Sequence, residues 1–295
     1  MYEQIAANKW RSALLIIGFI IVVSGTGWLF GEASGAGPFG LVLAVLVSTA
    51  IAWTSYWYSD RIVLKMSKAR PANLTEHARL VNIVEGLSIA GGIPVPRVYV
   101  VDDAAPNAFA TGRDPEHAAI AVTTGLIEKM NRVELEGVIA HEMAHIMNRD
   151  ILVSTIAVVL AGVVTLLSDW MLRGFWRIGG RGRRELGLMI GLIGLVVAII
   201  APIVAQLMKL AISRKRESLA DASGVKLTRY PPGLIAALKK LQGDSTVVRT
   251  SSRATAHLWI ESPLDRQGGG AASWLNRLFN THPPIEERIR ELEEL

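Results

Sequence analysis

The chain has 295 residues, is 51% hydrophobic and has a mean hydropathy of +0.34, rich for a water-soluble domain, with the excess gathered into four apolar blocks. Cysteine is absent, which excludes disulfides and thiolate metal ligands, so any metal must be held by histidine and carboxylate. The net charge of +5 comes with basic clusters beside the apolar blocks, where anionic lipid headgroups are the natural partner; no nucleic-acid motif occurs.

Met1 to Arg11 is a short polar start, and the apolar run from Ser12 to Phe30 approaches the roughly 20 residues that a bilayer-spanning helix needs. A cleavable signal peptide, cut near Ala33-Ser34-Gly35, is the rival reading, weakened by the second apolar run that follows almost at once. Gly31 to Gly37 reads as a tight connector. Pro38 to Tyr58 reads as a second span, closed by Trp53, Tyr56, Trp57 and Tyr58, whose rings suit the headgroup level. Arg61, Lys65, Lys68 and Arg70 follow, so the positive-inside rule puts the N-terminus and the chain beyond the second span in the cytoplasm.

From Pro71 the character is globular. Thr75 to Ala90 predicts an amphipathic helix with Leu80, Ile83, Val84 and Leu87 inward, ended by Gly91-Gly92. Pro96 to Val101, Asn107 to Thr111 and Ala118 to Thr123 predict short strands, the last leading into a helix over Thr124 to Met130. His77 and His117 read as an exposed helix residue and a loop residue.

Next comes His141-Glu142-Met143-Ala144-His145, within a run from Glu134 to Ile151 whose apolar positions recur at helical spacing. On a helix, positions i and i+4 share a face, so both imidazoles can reach one metal ion with Glu142 beside them. A catalytic zinc site uses three protein ligands and keeps a position for water, toward which a neighbouring carboxylate acts as general base. Glu142 is the candidate base.

Ile151 to Leu172 and Leu186 to Leu210 are the third and fourth apolar blocks, the latter kinked by Pro202. Asp169 sits near one end of the third. The loop between them carries Arg173, Arg177, Arg181, Arg183 and Arg184, which opposes the positive-inside rule if that loop faces outward. Both blocks crossing is the preferred reading, and a cytoplasmic hydrophobic hairpin is the alternative.

Beyond them, Glu217 and Asp221 stand one turn apart on a predicted helix. Glu217 could complete the metal's protein shell, and Asp221 could accept the outward N–H of a ligand histidine; a solvated helix with ordinary charges fits the same spacing. A shared metal would put Glu217 on the same side of the membrane as His141, so the third and fourth blocks must both cross or both stay. Pro232 to Leu241 predicts a short helix, Gly243 to Ser252 and Gly268-Gly269-Gly270 loose loops, and His257 a non-catalytic residue. Pro283 to Leu295 predicts a charged helix with Ile285, Ile289 and Leu292 on one face.

His141 to His145, Arg216 to Asp221, Thr281-His282-Pro283-Pro284 and Pro106 to Gly112, in this order with the apolar pairs around them, resemble the HtpX-type membrane zinc metalloproteases, relatives of the CaaX prenyl proteases. The resemblance implies a mainly α protein with a small β-sheet (α+β) and four hydrophobic helices around a zincin-like, gluzincin catalytic domain. Residues 1–60 and 151–210 would be membrane hairpins, with 61–150 and 211–295 the two parts of the peptidase domain. His141, His145 and Glu217 would hold one Zn2+, Glu142 would be the base and Asp221 a supporting carboxylate. His282 would stabilise the oxyanion of the tetrahedral intermediate. Asn107, Ala108, Phe109 and Ala110 would offer a sheet edge to which an extended peptide adds; an ordinary protected hairpin fits those residues too. The function implied is a multi-pass cell-membrane endopeptidase with its catalytic domain toward the cytoplasm, acting on membrane or misfolded proteins in quality control. Site-specific processing of CaaX type and a scaffold with a structural metal are the alternatives.

Overall fold

The computed structural model describes residues 2–160, 162–163, 214–246, 258–260 and 283–295. Asp169, the arginine-rich loop, the fourth apolar block, His257, the glycine triplet at 268–270 and His282 lie outside them.

Two long helices begin the chain, α1 (Tyr2–Ser34) and α2 (Pro38–Met66). Ala6–Trp28 and Pro38–Met66 are long and apolar enough to cross a membrane, with mean hydropathies of 1.6 and 1.7. Much of their surface is apolar and exposed, Ile21, Phe39, Leu46 and Trp53 among it, as lipid-facing side chains are. This is a membrane protein. Between the helices the chain turns on Gly35 and Gly37, both at positive φ, and the Gly37 N–H donates to Gly31 O at 2.9 Å. The helices then touch backbone to backbone: a Cβ on Gly40 would lie 2.6 Å from the Cα of Gly31. At the far end of α2, Arg113 lies over the Trp57 ring and Arg61 over Tyr58, so the aromatic cluster meets cations where the globular part begins.

That part holds a four-stranded mixed sheet of β1 (Arg70–Pro71), β2 (Arg97–Val101), β3 (Ala108–Thr111) and β4 (Ala119–Thr123), in the order β1-β2-β4-β3. β2 runs parallel to β4, while β3 pairs antiparallel with β4. Every residue of β4 is buried because both faces are covered. Alternation along the strands sends Val100, Ala108, Ile120 and Val122 into the main core and Val101, Phe109, Ala119 and Ala121 to a second core with Val63 and Leu64 of α2.

Helix α3 (Ala78–Gly91) buries Leu80, Ile83, Val84 and Leu87 as its period requires, and stops at Gly92 in the left-handed conformation. β4 leads into α4 (Thr124–Lys129), whose N-cap is Thr123. α5 (Arg132–Met147) opens with a capping box: Asn131 accepts from Glu134 N–H, and the Glu134 carboxylate accepts from Asn131 N–H at 2.8 Å. Leu135, Val138, Ile139, Met143 and Ile146 on α5 are all fully buried, at about 1.5–3 kcal/mol for each large apolar side chain.

The helix expected to run unbroken from Glu134 to Ile151 is not continuous. The helical pattern running to Ile151 is broken at Asn148-Arg149, and α6 (Asp150–Leu160) leaves α5 at 86°. Arg149 takes φ +57°, which costs a non-glycine residue about 1–2 kcal/mol. The break turns Asp150 back toward His145, a contact that a continuous helix would forbid. Three further helices complete the described chain: α7 (Arg214–Thr228), α8 (Pro231–Gly243) and α9 (Ile285–Glu293). α8 and α9 close the main core with Leu234, Leu238, Leu241, Ile289 and Leu292.

Candidate metal centre

α5 and α7 pack against each other with very little between them. Gly224 makes this possible, since a Cβ there would lie 3.0 Å from the backbone nitrogen of His141. The close approach brings the acidic turn of α7 over the histidine face of α5. One ligating atom each from His141, His145 and Glu217 lies within 4.8 Å of the other two. His141 Nε2 and His145 Nε2 are 3.2 Å apart, and each stands 3.7 Å from a different oxygen of Glu217. Two inward imidazole nitrogens and a carboxylate, gathered where His141 is 1% and Glu217 2% exposed, form a donor set that suits a borderline-soft divalent cation such as Zn2+. Glu142 is equally buried, and its charge is felt by both His145 and Arg288.

The outer nitrogens of the two rings are each met by a carboxylate. His141 Nδ1 lies 2.8 Å from Asp221 Oδ1. Arg288 of α9 grips the same carboxylate with two bonds, Nη2 to Oδ1 at 2.6 Å and Nε to Oδ2 at 2.8 Å, and its Nη1 donates to Ile260 O. Burial alone would raise the Asp221 carboxyl, but the charges of Arg288 and His141 hold it well below the ordinary carboxylate range. Burial likewise works against the Arg288 cation, and Asp221 more than restores it.

His145 Nδ1 lies 3.2 Å from Asp150 Oδ2. Burial would lower this imidazole; the Asp150 hydrogen bond and the charges of Glu217, Asp150 and Glu142 outweigh it and push the pKa up to about 9. Two residues that the sequence left unremarked therefore take part, Asp150 and Arg288. Arg288 had a readable signal, because it falls on the stripe of α9 that carries Ile285, Ile289 and Leu292. Asp150 had none while α5 was taken as continuous.

β3 is the outer strand of the sheet and packs beside α5. Thr123 N–H donates to Asn107 O, so the alternation turns the carbonyl of Ala108 outward, where it accepts from Ile260 N–H at 3.0 Å. Phe109 is buried against Trp259, ring centroids 4.8 Å apart. Part of this edge is thus taken by the chain itself. His117 bonds to Asp114 in a short 3-10 turn, and His77 Nδ1 accepts from Asn73 N–H, both away from the cluster.

Residues 74–295 match the family described as Peptidase family M48. The chain belongs to peptidase family M48. M48 members are metal-dependent peptidases, so the protein is a membrane metallopeptidase, a hydrolase of peptide bonds. Relatives named "Protease HtpX homolog" are similar along their whole length. One from Caldanaerobacter subterraneus subsp. tengcongensis is 45% identical over 300 residues, covering 100% of this chain and 98% of that one. Another from Tropheryma whipplei is 46% identical with the same coverage, and one from Lactobacillus acidophilus is 41% identical with both chains fully covered. Among solved structures, S. mikatae Ste24p aligns over 99% of this chain and 67% of its own, with a TM-score of 0.50 and 17% identity, a likeness of fold.

Proposed function

We propose that this M48 metallopeptidase is a zinc-dependent endopeptidase of the HtpX type that cleaves membrane or misfolded proteins. The observation that carries the reading is the convergence of His141, His145 and Glu217, drawn from two helices some seventy residues apart in sequence, on one buried point. These three would hold the zinc ion, within a gluzincin-type domain assembled from 61–150 and 211–295 around membrane hairpins at 1–60 and 151–210. When bound, zinc supplies Lewis acidity to the scissile carbonyl and to a water molecule. Glu142 accepts a proton from the attacking water and returns it to the leaving amine. Asp221 keeps the His141 ring turned with its other nitrogen inward, and Arg288 keeps Asp221 ionised and still. His282 is assigned the oxyanion, on the family resemblance and its place just before α9, and Asn107 to Ala110 the alignment of an extended substrate. The globular part follows α2 directly, beside Arg61, Lys65, Lys68 and Arg70, which supports an active site at the cytoplasmic face of a multi-pass cell-membrane protein.

The test is Glu142→Gln in purified full-length protein. It is expected to keep the metal and lose cleavage of an unfolded protein such as casein by roughly 10²–10⁴-fold, the contribution of a general base. A variant that keeps its metal and cleaves as fast as wild type would remove Glu142 from the chemistry.

A further inference from the structure

The break between α5 and α6 is spanned by a residue from the other end of the chain. Asn8, 2% exposed on α1, donates from Nδ2 to Asp150 Oδ1 at 2.7 Å and to the Asn148 carbonyl at 3.2 Å. A primary amide has two N–H bonds to give, and both go to residues flanking Arg149, the one left-handed residue of the break. The acceptor side of the same amide is occupied by Arg11 Nη1 at 3.4 Å, which fixes which way the amide points. The carboxylate it holds presents its other oxygen, Oδ2, to His145 Nδ1. Arg216, the residue before Glu217, stands 3.7 Å from the Asn8-bound oxygen. Below this contact α1 continues to pack on α6, through Leu15 and Phe19 against Leu152, Val153 and Ile156.

We propose that Asp150 is the positioning residue of His145 and that Asn8, on the first membrane helix, aims it, so that the seating of α1 against α6 sets how tightly the centre holds its metal. The physical reason is orientational. An imidazole ligates well only when its outer N–H has a fixed acceptor, and removing such a supporting acceptor typically weakens metal binding roughly 10–100-fold. Asp150 could not serve from a continuous helix. It serves because the chain breaks at Arg149, and the only side chain among the described residues seen to bond both to Asn148 and to Asp150 across that break is Asn8. A membrane helix is in this way wired to one metal ligand by a single amide.

The inference rests on His145 being a ligand, and the test separates the two. Full-length protein in detergent is titrated with zinc against a chromophoric chelator, comparing wild type, Asp150→Asn, Asn8→Ala, the double variant and His145→Ala. Asp150→Asn is expected to weaken zinc binding roughly 10–100-fold, Asn8→Ala about three- to tenfold for two lost hydrogen bonds, and the double variant no more than Asp150→Asn alone. The visible spectrum of the cobalt-loaded protein should shift in both single variants, since the His145 ring is reoriented, which a general loosening of the fold would not cause selectively. Where Asn8→Ala does not accumulate, Asn8→Ser withdraws the same donor and takes its place. Wild-type zinc affinity in the Asn8 variant, or effects of Asn8 and Asp150 that multiply independently, would overturn the proposal. Wild-type affinity in His145→Ala would instead withdraw His145 as a ligand, and the proposal with it.

Discussion

The two imidazoles stand one turn apart on α5, yet their supports are of different kinds. On the His141 side the acceptor is a buried aspartate locked by a two-pronged arginine from α9, a closed ion pair with Asp221 3% and Arg288 1% exposed. On the His145 side the acceptor is an aspartate at a helix break, held by an amide from α1 at 2.7 Å, with the Arg216 cation farther off at 3.7 Å. The first arrangement is rigid because a buried charge cannot be left without its partner. In the second, losing the amide still leaves Arg216 near the Asp150 carboxylate, so it can be altered without stranding a charge, and it connects the centre to α1. The same outward N–H is thus satisfied in one place by a part built for stability and in the other by one open to influence from elsewhere in the molecule.

That contrast can be broken most forcefully at Arg288. Arg288→Ala leaves Asp221 buried and unpaired and should cost about 3–5 kcal/mol of stability, read by denaturant unfolding of the detergent-solubilised protein. Arg288→Lys, which keeps the charge but not the fork, should fall between that variant and wild type. A loss below about 1 kcal/mol in the alanine variant would mean that the His141 side is no more rigid than the other.

The next test uses pH, and the two sides should move in opposite directions. His145 is raised from its ordinary 6.5 to about 9. Its contribution to the metal-free fold is therefore fully present below about 6.5 and is lost as pH rises through about 9. Asp221 is depressed, so its contribution is present above the ordinary carboxylate value and is lost as pH falls through the lowered one. Asp150→Asn should flatten the alkaline branch of a thermal-unfolding profile and leave the acid branch in place. Because a metal needs the neutral ring, zinc affinity should climb with pH until about 9; an affinity already level at about pH 7 would contradict the raised His145.

The smallest effect serves as the control. Asn131→Ala removes half of the capping box at the start of α5, far from both supports, and should lower stability by about 1 kcal/mol. Zinc affinity should not change. If it does, the histidines respond to any loosening of α5, and the separate supports lose their meaning.

What could be read from the sequence was whatever depends on spacing along one element. The i, i+4 histidines, the Glu217 and Asp221 turn, the inward face of α3 and the two long apolar N-terminal helices all follow from spacing and composition along one element. What could not be read depends on a turn of the chain or on strand order. β2 pairs with β4 and pushes β3 to the edge, a crossover that three successive strand patterns do not encode. The short β1 was invisible because two residues carry no alternation. Arg288 looked like one charge among many on an acidic helix, although its register placed it on the buried stripe. Asp150 was hidden by the helical pattern that continues on both sides of Arg149, since nothing local to that residue announces a left-handed conformation.

Whether α5 and α7 share one cation is decided by metal analysis. Purified wild type is expected to carry one zinc ion per chain, with His141→Ala and Glu217→Ala each losing it while remaining folded in the membrane. A Glu217→Ala protein that retains the wild-type zinc content would contradict a shared cation, because the helix seventy residues downstream would then have no part in holding the metal.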